Sequence, residues 1–534
     1  LRRISLAALL LLGTAGTAHA DPISATIAGA AAWYASIGVV GQAVVGIVAG
    51  LALTAASYGI GYLLSGGGQR QGRSQRQDQP GVQIEELSGL LERRRAYGNI
   101  VVSGGVFFQK TIAGTGTLDI FVKGYALSDG ECDGLDAIII NGVECPLDVN
   151  GNPQVAPWYN ASGNFLKVSF RSGTASQAQD SIIAALWPSP PDDFYPDDAA
   201  RVSKWADFRQ RGVATAVVKM SFGADANAHT QLWGAAGIPD LKFKLRGVKV
   251  YDPRDNNQSA SDATTWRYTD NATLCQADWL TSDMGFGIDP DEIEWDSVRA
   301  SADVDDRWMT TLAGRERRGR VDGLVLGSEA NDGVLSGMTL QNRALVRRAF
   351  GTYSIHADRE EEPVATIHQD LIVGPISYTN EPDTRAAINR AEVQFAPATK
   401  FNQSAETFYE DAALIAADGQ TLPQRLSLRF GDSPAQAQRL GYATIKENRV
   451  GRTFSGSFGM SVLIAPGKPS GQLLEAGDIV RVWLRNYQQI NGLYKISSIE
   501  IAQDFTVNLS MAGYDPDTVD GWSDSFETAF EDAA

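Results

Sequence analysis

Leu274-Cys275-Gln276-Ala277-Asp278-Trp279-Leu280-Thr281-Ser282, followed by Met284-Gly285-Phe286-Gly287-Ile288, is the stretch that decides how this chain reads. Its apolar residues fit a helix that puts Cys275, Trp279 and Leu280 in a core. Upstream, Lys242-Phe243-Lys244-Leu245-Arg246-Gly247-Val248-Lys249-Val250-Tyr251-Asp252-Pro253-Arg254 alternates. That predicts a strand over Leu241–Tyr251, with Lys242, Lys244 and Arg246 on one face and Phe243 and Leu245 on the other. Trp266-Arg267-Tyr268-Thr269-Asp270-Asn271 links the two. Downstream, Asp289-Pro290-Asp291-Glu292-Ile293-Glu294-Trp295 opens another helix. There Glu292, Glu294 and Asp296 favour the positive end of the helix dipole, so these acids are not assigned to catalysis.

The chain has 534 residues, enough for three or four domains. Its 54 glycines, with frequent Val, Ile, Thr and aromatics, favour a turn-rich β protein. The formal charge of -17 argues against a surface that grips duplex DNA, which needs clustered Lys and Arg. An acidic wall would instead let DNA slide past. The three cysteines, Cys132, Cys145 and Cys275, lack zinc-ligand spacing. Cys132 and Cys145 flank Ile138-Ile139-Ile140-Asn141-Gly142-Val143, a hairpin with Asn-Gly at its turn. They read as free buried thiols or as a disulfide across that hairpin.

Strands are predicted at Asn99–Phe108, Leu118–Leu127, Leu166–Phe170 and Ala214–Phe222. Ser176–Trp187 reads as a helix. Pro188–Asp198 is a solvated Pro/Asp loop that caps a helix near Ala199. Val334–Met338 and Leu345–Phe350 read as one helix after a cap at Asn331 or Asp332, and Gly351–His356 as a strand. Ala386-Ala387-Ile388-Asn389-Arg390-Ala391-Glu392-Val393-Gln394-Phe395 is a further strand. Ser433-Pro434 starts a helix running to about Val450. Phe454–Gly459, Leu474-Glu475-Ala476-Gly477-Asp478-Ile479-Val480 and the Asn491–Ile496 hairpin follow.

Taken in order from Ile100 to Tyr514, and most strongly after Leu241, these pieces resemble the tail hub, or tip-attachment, proteins of long-tailed bacteriophages, the family of the lambda tip protein. The carrying residues are Arg246-Gly247-Val248, Trp279, the Asn389–Phe395 strand, which is similar to the family's N-x-V-x-V strand, and Gly477-Asp478. The resemblance implies a mainly β fold with an α/β insertion and two tube-like β-barrel domains. It implies a homotrimer at the distal end of a phage tail, within the virion. That trimer closes the tail tube, adapts hexameric to trimeric symmetry, and takes part in opening for DNA delivery. Its partners are the distal tail protein ring, the tape-measure protein, and a tail fibre or receptor-binding protein, with DNA only in transit. The segments read as 1–65 apolar helices, 66–97 linker, 98–260 β-rich hub domains, 261–365 α/β domain, 366–515 β-barrel domain and 516–534 acidic-aromatic tail. The long receptor-binding extension of the lambda-type protein is missing, so receptor binding by this chain itself is not expected.

The N-terminal segment is not part of the hub pattern. Leu1-Arg2-Arg3, an apolar run to Leu12, and Ala18-His19-Ala20 match a secretory signal peptide. Pro22 to Gln69 then carries no charge and is long enough to cross a bilayer. Gly46 and Gly50 allow close helix packing. Three readings stay open: a cleaved signal with a membrane helix, a helical bundle in the tail lumen, or a bundle later released into the host membrane. The first makes the chain an exported, membrane-anchored envelope protein, the alternative to a hub. At the other end, Trp522, Phe526 and Phe530 recur every four residues, which reads either as a helical stripe docking on another hub copy or a fibre protein, or as a frayed acidic tail.

No enzyme is expected. His19, His229, His356 and His368 are scattered. No nucleophile elbow, metalloprotease helix or phosphate loop is present, and Gly114-Thr115-Gly116-Thr117 is a turn. The expectation is therefore no catalytic residue, no metal ligand and no cofactor.

Overall fold

The computed structural model describes residues 91–530, apart from 114–118, 161–162, 187–206, 235–237, 350, 381–385, 398–399, 402 and 469–471. The apolar segment 1–65, most of the linker, the Gly114–Thr117 turn, the Pro/Asp loop and the helix near Ala199 lie outside the described residues. Within them the expected class holds: strand predominates, with an α/β insertion. No described helix is long and apolar enough to cross a membrane.

The first region is a pair of facing sheets. β1 (Arg94–Tyr97) and β2 (Asn99–Val102) lead into β3 (Gly105–Ile112), β4 (Ile120–Asp129), β5 (Cys132–Ile140) and β6 (Val143–Pro146). β7 (Leu166–Arg171), β8 (Val213–Ser221) and β9 (Leu241–Val250) complete it. One sheet has the order β3-β4-β8-β7; in the other, β9 stands between β2 and β5, and β6 follows β5. The chain changes sheet through two residues between β2 and β3, and again between β4 and β5. Those short corners force the sheets face to face, where Tyr125 meets Phe243 at 4.9 Å between ring centroids. Alternation in β9 is as the sequence predicts: Leu241, Phe243 and Leu245 are buried. On its other face, Lys244 meets Glu144, and Arg246 meets Asp133 and Asp136. The β5–β6 turn has φ of 50° at Asn141 and 83° at Gly142, the backbone that Asn-Gly supplies at least cost.

The α/β insertion follows. Helix α1 (Ala272–Thr281) is buried on every side from Ala272 to Leu280, so its neighbours must cover all its faces. Asn271 caps it by accepting from Leu274 N–H and donates to Ala302 O on α2 (Trp295–Asp305). Gln276 donates to Met338 O on α3 (Asn331–Thr339). A small hairpin, β10 (Trp308–Thr311) with β11 (Gly314–Arg317), projects after α2. β12 (Gly323–Leu326) returns to pair with β1.

The last region holds a curled sheet. β13 (Leu345–Ala349) pairs with β14 (Thr352–His356). Then come β15 (Ala365–His368) and β16 (Ile372–Thr379). β17 (Arg390–Phe395), β18 (Ala405–Glu410) and β19 (Pro423–Ser427) form a three-stranded sheet covered by α4 (Pro434–Val450). β20 (Thr453–Phe458), β21 (Ile479–Trp483), β22 (Gly492–Ile501) and β23 (Val507–Gly513) join β15 and β16 in the order β15-β21-β22-β23-β20-β16. β15 and β16 are opposite edges of this sheet, yet Gln369–Leu371 alone connects them. Three residues span at most about 14 Å with their flanking bonds, so the sheet rolls until its edges approach. Phe454, Phe458, Val482, Tyr494 and Leu509 fill the interior.

Several local expectations change. Leu345–Ala349 is a strand rather than helix, because Arg343 (φ 54°) turns the chain out of α3 and Leu345 pairs with His356. The α3 cap position is Ala330; Asn331 instead donates its amide to Gly285 O. The Ser176–Trp187 helix shrinks to Ser181–Leu186. The turn at Pro290–Glu292 is 3-10, and α2 starts at Trp295. Cys132 and Cys145 are free and buried. Cys145 stands opposite Ile138, and Cys132 opposite Val248, so the hairpin does not pair them.

The C-terminal stripe is not one helix. Trp522 packs on Tyr409 and Tyr442, Phe526 stacks on Tyr442, and Phe530 meets Phe395. Gln438 exchanges hydrogen bonds with the Thr528 backbone in both directions. The aromatics thus dock on their own chain. A segment this short is marginal as a lone helix in water, and packing on α4 overrides its periodicity.

Candidate functional site: buried ionic seams

Each junction between these regions is closed by buried charge. Asp278 is the one acidic residue of the buried helix α1. It accepts from Arg95 Nη2 at 2.8 Å, Arg95 Nε at 2.9 Å and Tyr97 OH at 2.6 Å. The two-pronged guanidinium–carboxylate match is the strong form of ion pair. Burial, then the Asp278 charge, pushes the Tyr97 hydroxyl well above its usual range, so it stays a neutral donor. β1 is thereby locked to α1.

Asp305, at the end of α2, makes no ion pair among the described residues. Its Oδ2 accepts from Thr273 N–H at 2.9 Å, Thr273 Oγ1 at 2.6 Å and Asn342 Nδ2 at 2.8 Å. Its Oδ1 is buried without a hydrogen-bond partner. Burial pushes this carboxyl up to about 6, against those hydrogen bonds and the charge of Arg318. Gly319 passes so close that a Cβ there would lie 2.2 Å from Oδ1.

Arg320 gathers three carboxylates. It donates to Asp270 at 2.8 Å, Asp322 at 3.1 Å and Asp432 at 3.4 Å. Asp322 Oδ1 also accepts from Asn99 N–H at 2.7 Å, tying in the β1–β2 corner. Asp432 Oδ1 is buried and unpartnered. Burial, then the Asp432 charge, raises Asp322; burial also raises Asp432, against the pull of Arg320. The cluster spans the first region, the insertion and the start of α4.

The seam to the curled sheet is rich in cations. Asp358 accepts from Arg343 Nε at 2.9 Å and Lys495 Nζ at 3.2 Å. Asp478 and Glu475 accept from Arg347 and Lys468. Burial lifts the Asp358 carboxyl, but Lys495, Arg343 and Arg318 outweigh it and hold it below the usual carboxylate range. Burial first, then Arg347 and its neighbouring cations, lowers His356 to about 2, so this histidine is neutral.

These groups fasten; none forms a nucleophile–base pair opening on a substrate cavity. Among the described residues no three His, Cys, Asp or Glu side chains gather as metal ligands. Burial pushes the Cys132 thiol up to about 12 and Cys275 well above its usual value, so neither is a thiolate near neutrality.

Of the residues carrying the sequence resemblance, Asp478 stands in an ionic seam, and the others are fixed by close packing or hydrogen bonds. Gly247 is glycine because a Cβ would sit 2.4 Å from Ala96 O. Trp279 is buried and donates to Asn331 O at 3.3 Å. Gly477 has φ 92° and packs under Leu345, and Asp478 closes the cation-rich seam. Asn389, just before β17, is fully buried and holds both Gln420 O and Leu422 N–H. Sequence reading missed Arg95, Asp278, Asp305, Asp322 and Asp432. One signal was present: Asp278, the one acid of the mostly apolar α1, requires a partner once that helix is buried.

No family model matches the chain, and no curated protein matches it. Among solved structures, it is similar to a chain from the virion of a native gene transfer agent particle. That match has 16% identity and a TM-score of 0.53, and covers 88% of this chain and 98% of that one. The two chains share a fold. The 43 kDa tail protein of prophage MuSo2 from Shewanella oneidensis matches at 12% identity and TM-score 0.29, over 80% of this chain and 98% of that one. Prophage tail protein gp18 from Listeria monocytogenes EGD-e matches at 10% identity and TM-score 0.23, over 37% and 56%. The last two are too distant in geometry to carry an argument.

Proposed function

We propose that this chain is a structural hub of a phage-like tail tip. The observation that carries the reading is the fold shared with a gene transfer agent virion chain along nearly the whole of both molecules. The ordered motifs from Arg246 to Asp478 support it independently. In this reading the facing sheets of 98–260 and the rolled sheet of 366–515 are two tube-like units. The insertion 261–365 is the wedge between them. Three copies then offer six tube-like units to a hexameric distal tail ring, and the seams hold the two units of each copy in fixed register. The tape-measure protein ends above this ring, a fibre or receptor-binding protein attaches below, and DNA passes through on delivery. Fastening rather than turnover is the chemistry the seams offer, which fits a protein without enzymatic activity.

The test is localisation and stoichiometry in purified particles. A tag on an exposed loop, imaged by electron microscopy, should mark the distal end of the tail in three copies. Label at the capsid, or a single copy per particle, would overturn the reading.

A further inference from the structure

The β10–β11 hairpin has two unlike faces. Its inner face is used within the chain: Met309 packs near Tyr442 and Trp522, and Glu316 meets Ser433 and Arg439 at the start of α4. Its outer face carries Trp308, Thr310, Arg315 and Arg317. Trp308 is 54% exposed. The Arg317 and Arg315 guanidinium carbons lie 4.6 and 5.4 Å from its ring centroid. Arg317 uses one nitrogen on Asp306, and Arg315 makes no ion pair among the described residues. In a chain of charge -17, this is an outward aromatic-cationic face.

A complementary element lies elsewhere on the same chain. Between β14 and β15, residues 357–363 have no regular structure. Glu360 and Glu362 there are exposed and make no ion pair among the described residues, whereas Glu361 is held by Arg359. In an extended chain, carboxylates two residues apart stand on one side about 6–7 Å from each other. Arg315 and Arg317, two apart on β11, have the same spacing.

The two elements are not paired within one copy among the described residues. The hairpin is fixed to α4 through Arg439, near the helix start. The Glu360 segment adjoins Asp358, which shares Arg343 with Glu447 near the helix end. Eight helical residues separate those anchors by about 12 Å, and the hairpin's outer face is turned away from α4. Two different patches of one molecule that pair between copies make a head-to-tail contact, the type that closes rings.

We infer that the Trp308–Arg315–Arg317 face binds the Glu360–Glu362 segment of a second copy of this chain, forming a repeated contact around the ring. This rests on the trimeric reading above. Charged rim pairs of this kind set partner choice and register.

The experiment is a charge-swap cycle on the full chain, read by native mass spectrometry and sedimentation in moderate salt. R315E/R317E and E360R/E362R should each weaken trimer formation by about tenfold or more. The quadruple variant should recover most of that loss. All substituted side chains are exposed or half-exposed, and unchanged melting temperatures will check folding. An unaltered trimer in both double variants would overturn the inference and leave the trimer reading standing. Loss in R315E/R317E without recovery in the quadruple variant would overturn the Glu360–Glu362 assignment and point to another acidic partner. A wild-type chain that never associates, in solution or in particles, would overturn the trimer reading and the inference with it.

Discussion

Asp305 and Asp358 stand at the two ends of the same problem. Both are buried, one inside the α/β insertion and one at the seam to the rolled sheet. Asp305 is held by hydroxyl and amide donors, and its carboxyl rises to about 6. Asp358 is held by two cations, and its carboxyl falls below the usual range. Burial acts on both in the same direction, so the difference lies in the partners. Neutral donors, even with the Arg318 charge acting, do not offset the lost hydration of the Asp305 carboxylate; two directly paired cations do so for Asp358. The insertion is therefore favoured by acid, and the seam is weakened by it.

The signs follow from linkage. A raised carboxyl such as Asp305 contributes stability that is full below about pH 4 and is lost as pH rises through about 6. A depressed one such as Asp358 contributes stability that is full above its unfolded value and is lost as pH falls through its lowered folded value. Asp358→Asn should break the comparison most severely. It leaves the Arg343 and Lys495 cations facing a neutral amide. Removing one partner of a buried pair costs about 3–5 kcal/mol, and the partial exposure of Lys495 screens part of that. We expect about 2–3 kcal/mol at pH 7 by urea denaturation. A change below about 1 kcal/mol would mean that the seam is held by packing rather than charge.

Asp305→Asn is the opposite test. The amide oxygen keeps acceptor capacity toward Thr273 and Asn342 but cannot ionise. A shift from about 3.8 to about 6 corresponds to roughly 3 kcal/mol across the titration. The variant should be within about 1–2 kcal/mol of wild type at pH 7. More tellingly, it should lose the part of the wild-type decline between pH 4 and 7 that this site causes. Melting curves at pH 4.5 and 7.5 measure it, and an unchanged slope would assign the decline to other groups.

The comparison also explains what was legible in the sequence. Strands with strict alternation, such as β9, and glycines under steric demand, such as Gly142 and Gly247, announce themselves locally. Helix α4 did too, with Ser433 accepting from Gln436 N–H as its cap and Pro434 following. The seams did not. Asp358 and Lys495 are far apart in sequence, and neither position has a pattern of its own. Leu345–Ala349 was misread because its apolar and basic residues fit a helix until tertiary pairing with β14 is known. The tail was misread for a related reason: a four-residue aromatic period is real, but Tyr409, Tyr442 and Phe395 decide how those rings are buried. Local signals thus gave most elements and few of the joints.

The smallest expected effect belongs to the cluster that lies between these extremes. Asp270, Asp322 and Asp432 share one guanidinium, Arg320, with Glu316 also acting on Asp432. Three carboxylates on one cation leave a surplus of negative charge in a buried joint. The unpartnered Asp432 Oδ1 marks where the mismatch falls. Asp432→Asn removes one charge and supplies an amide able to donate to Asp322. Against this, Asp432 immediately precedes the Ser433 cap of α4, where the helix dipole favours an anion by about 0.3–1 kcal/mol. Its contact with Arg320 is long, at 3.4 Å, yet the Arg320 charge is the main pull opposing its burial, and that attraction is lost with the substitution. Relief of burial and like-charge repulsion should win, stabilising the chain by about 0.5–1 kcal/mol at pH 8. The sign again follows from a raised folded-state value: wild type regains its stability as the carboxyl protonates, so the advantage should vanish near pH 4. Paired melting temperatures at pH 8 and pH 4.5 test this. A variant less stable than wild type at pH 8 would show that the dipole and Arg320 outweigh the crowding, and that this joint behaves like Asp358 rather than like Asp305.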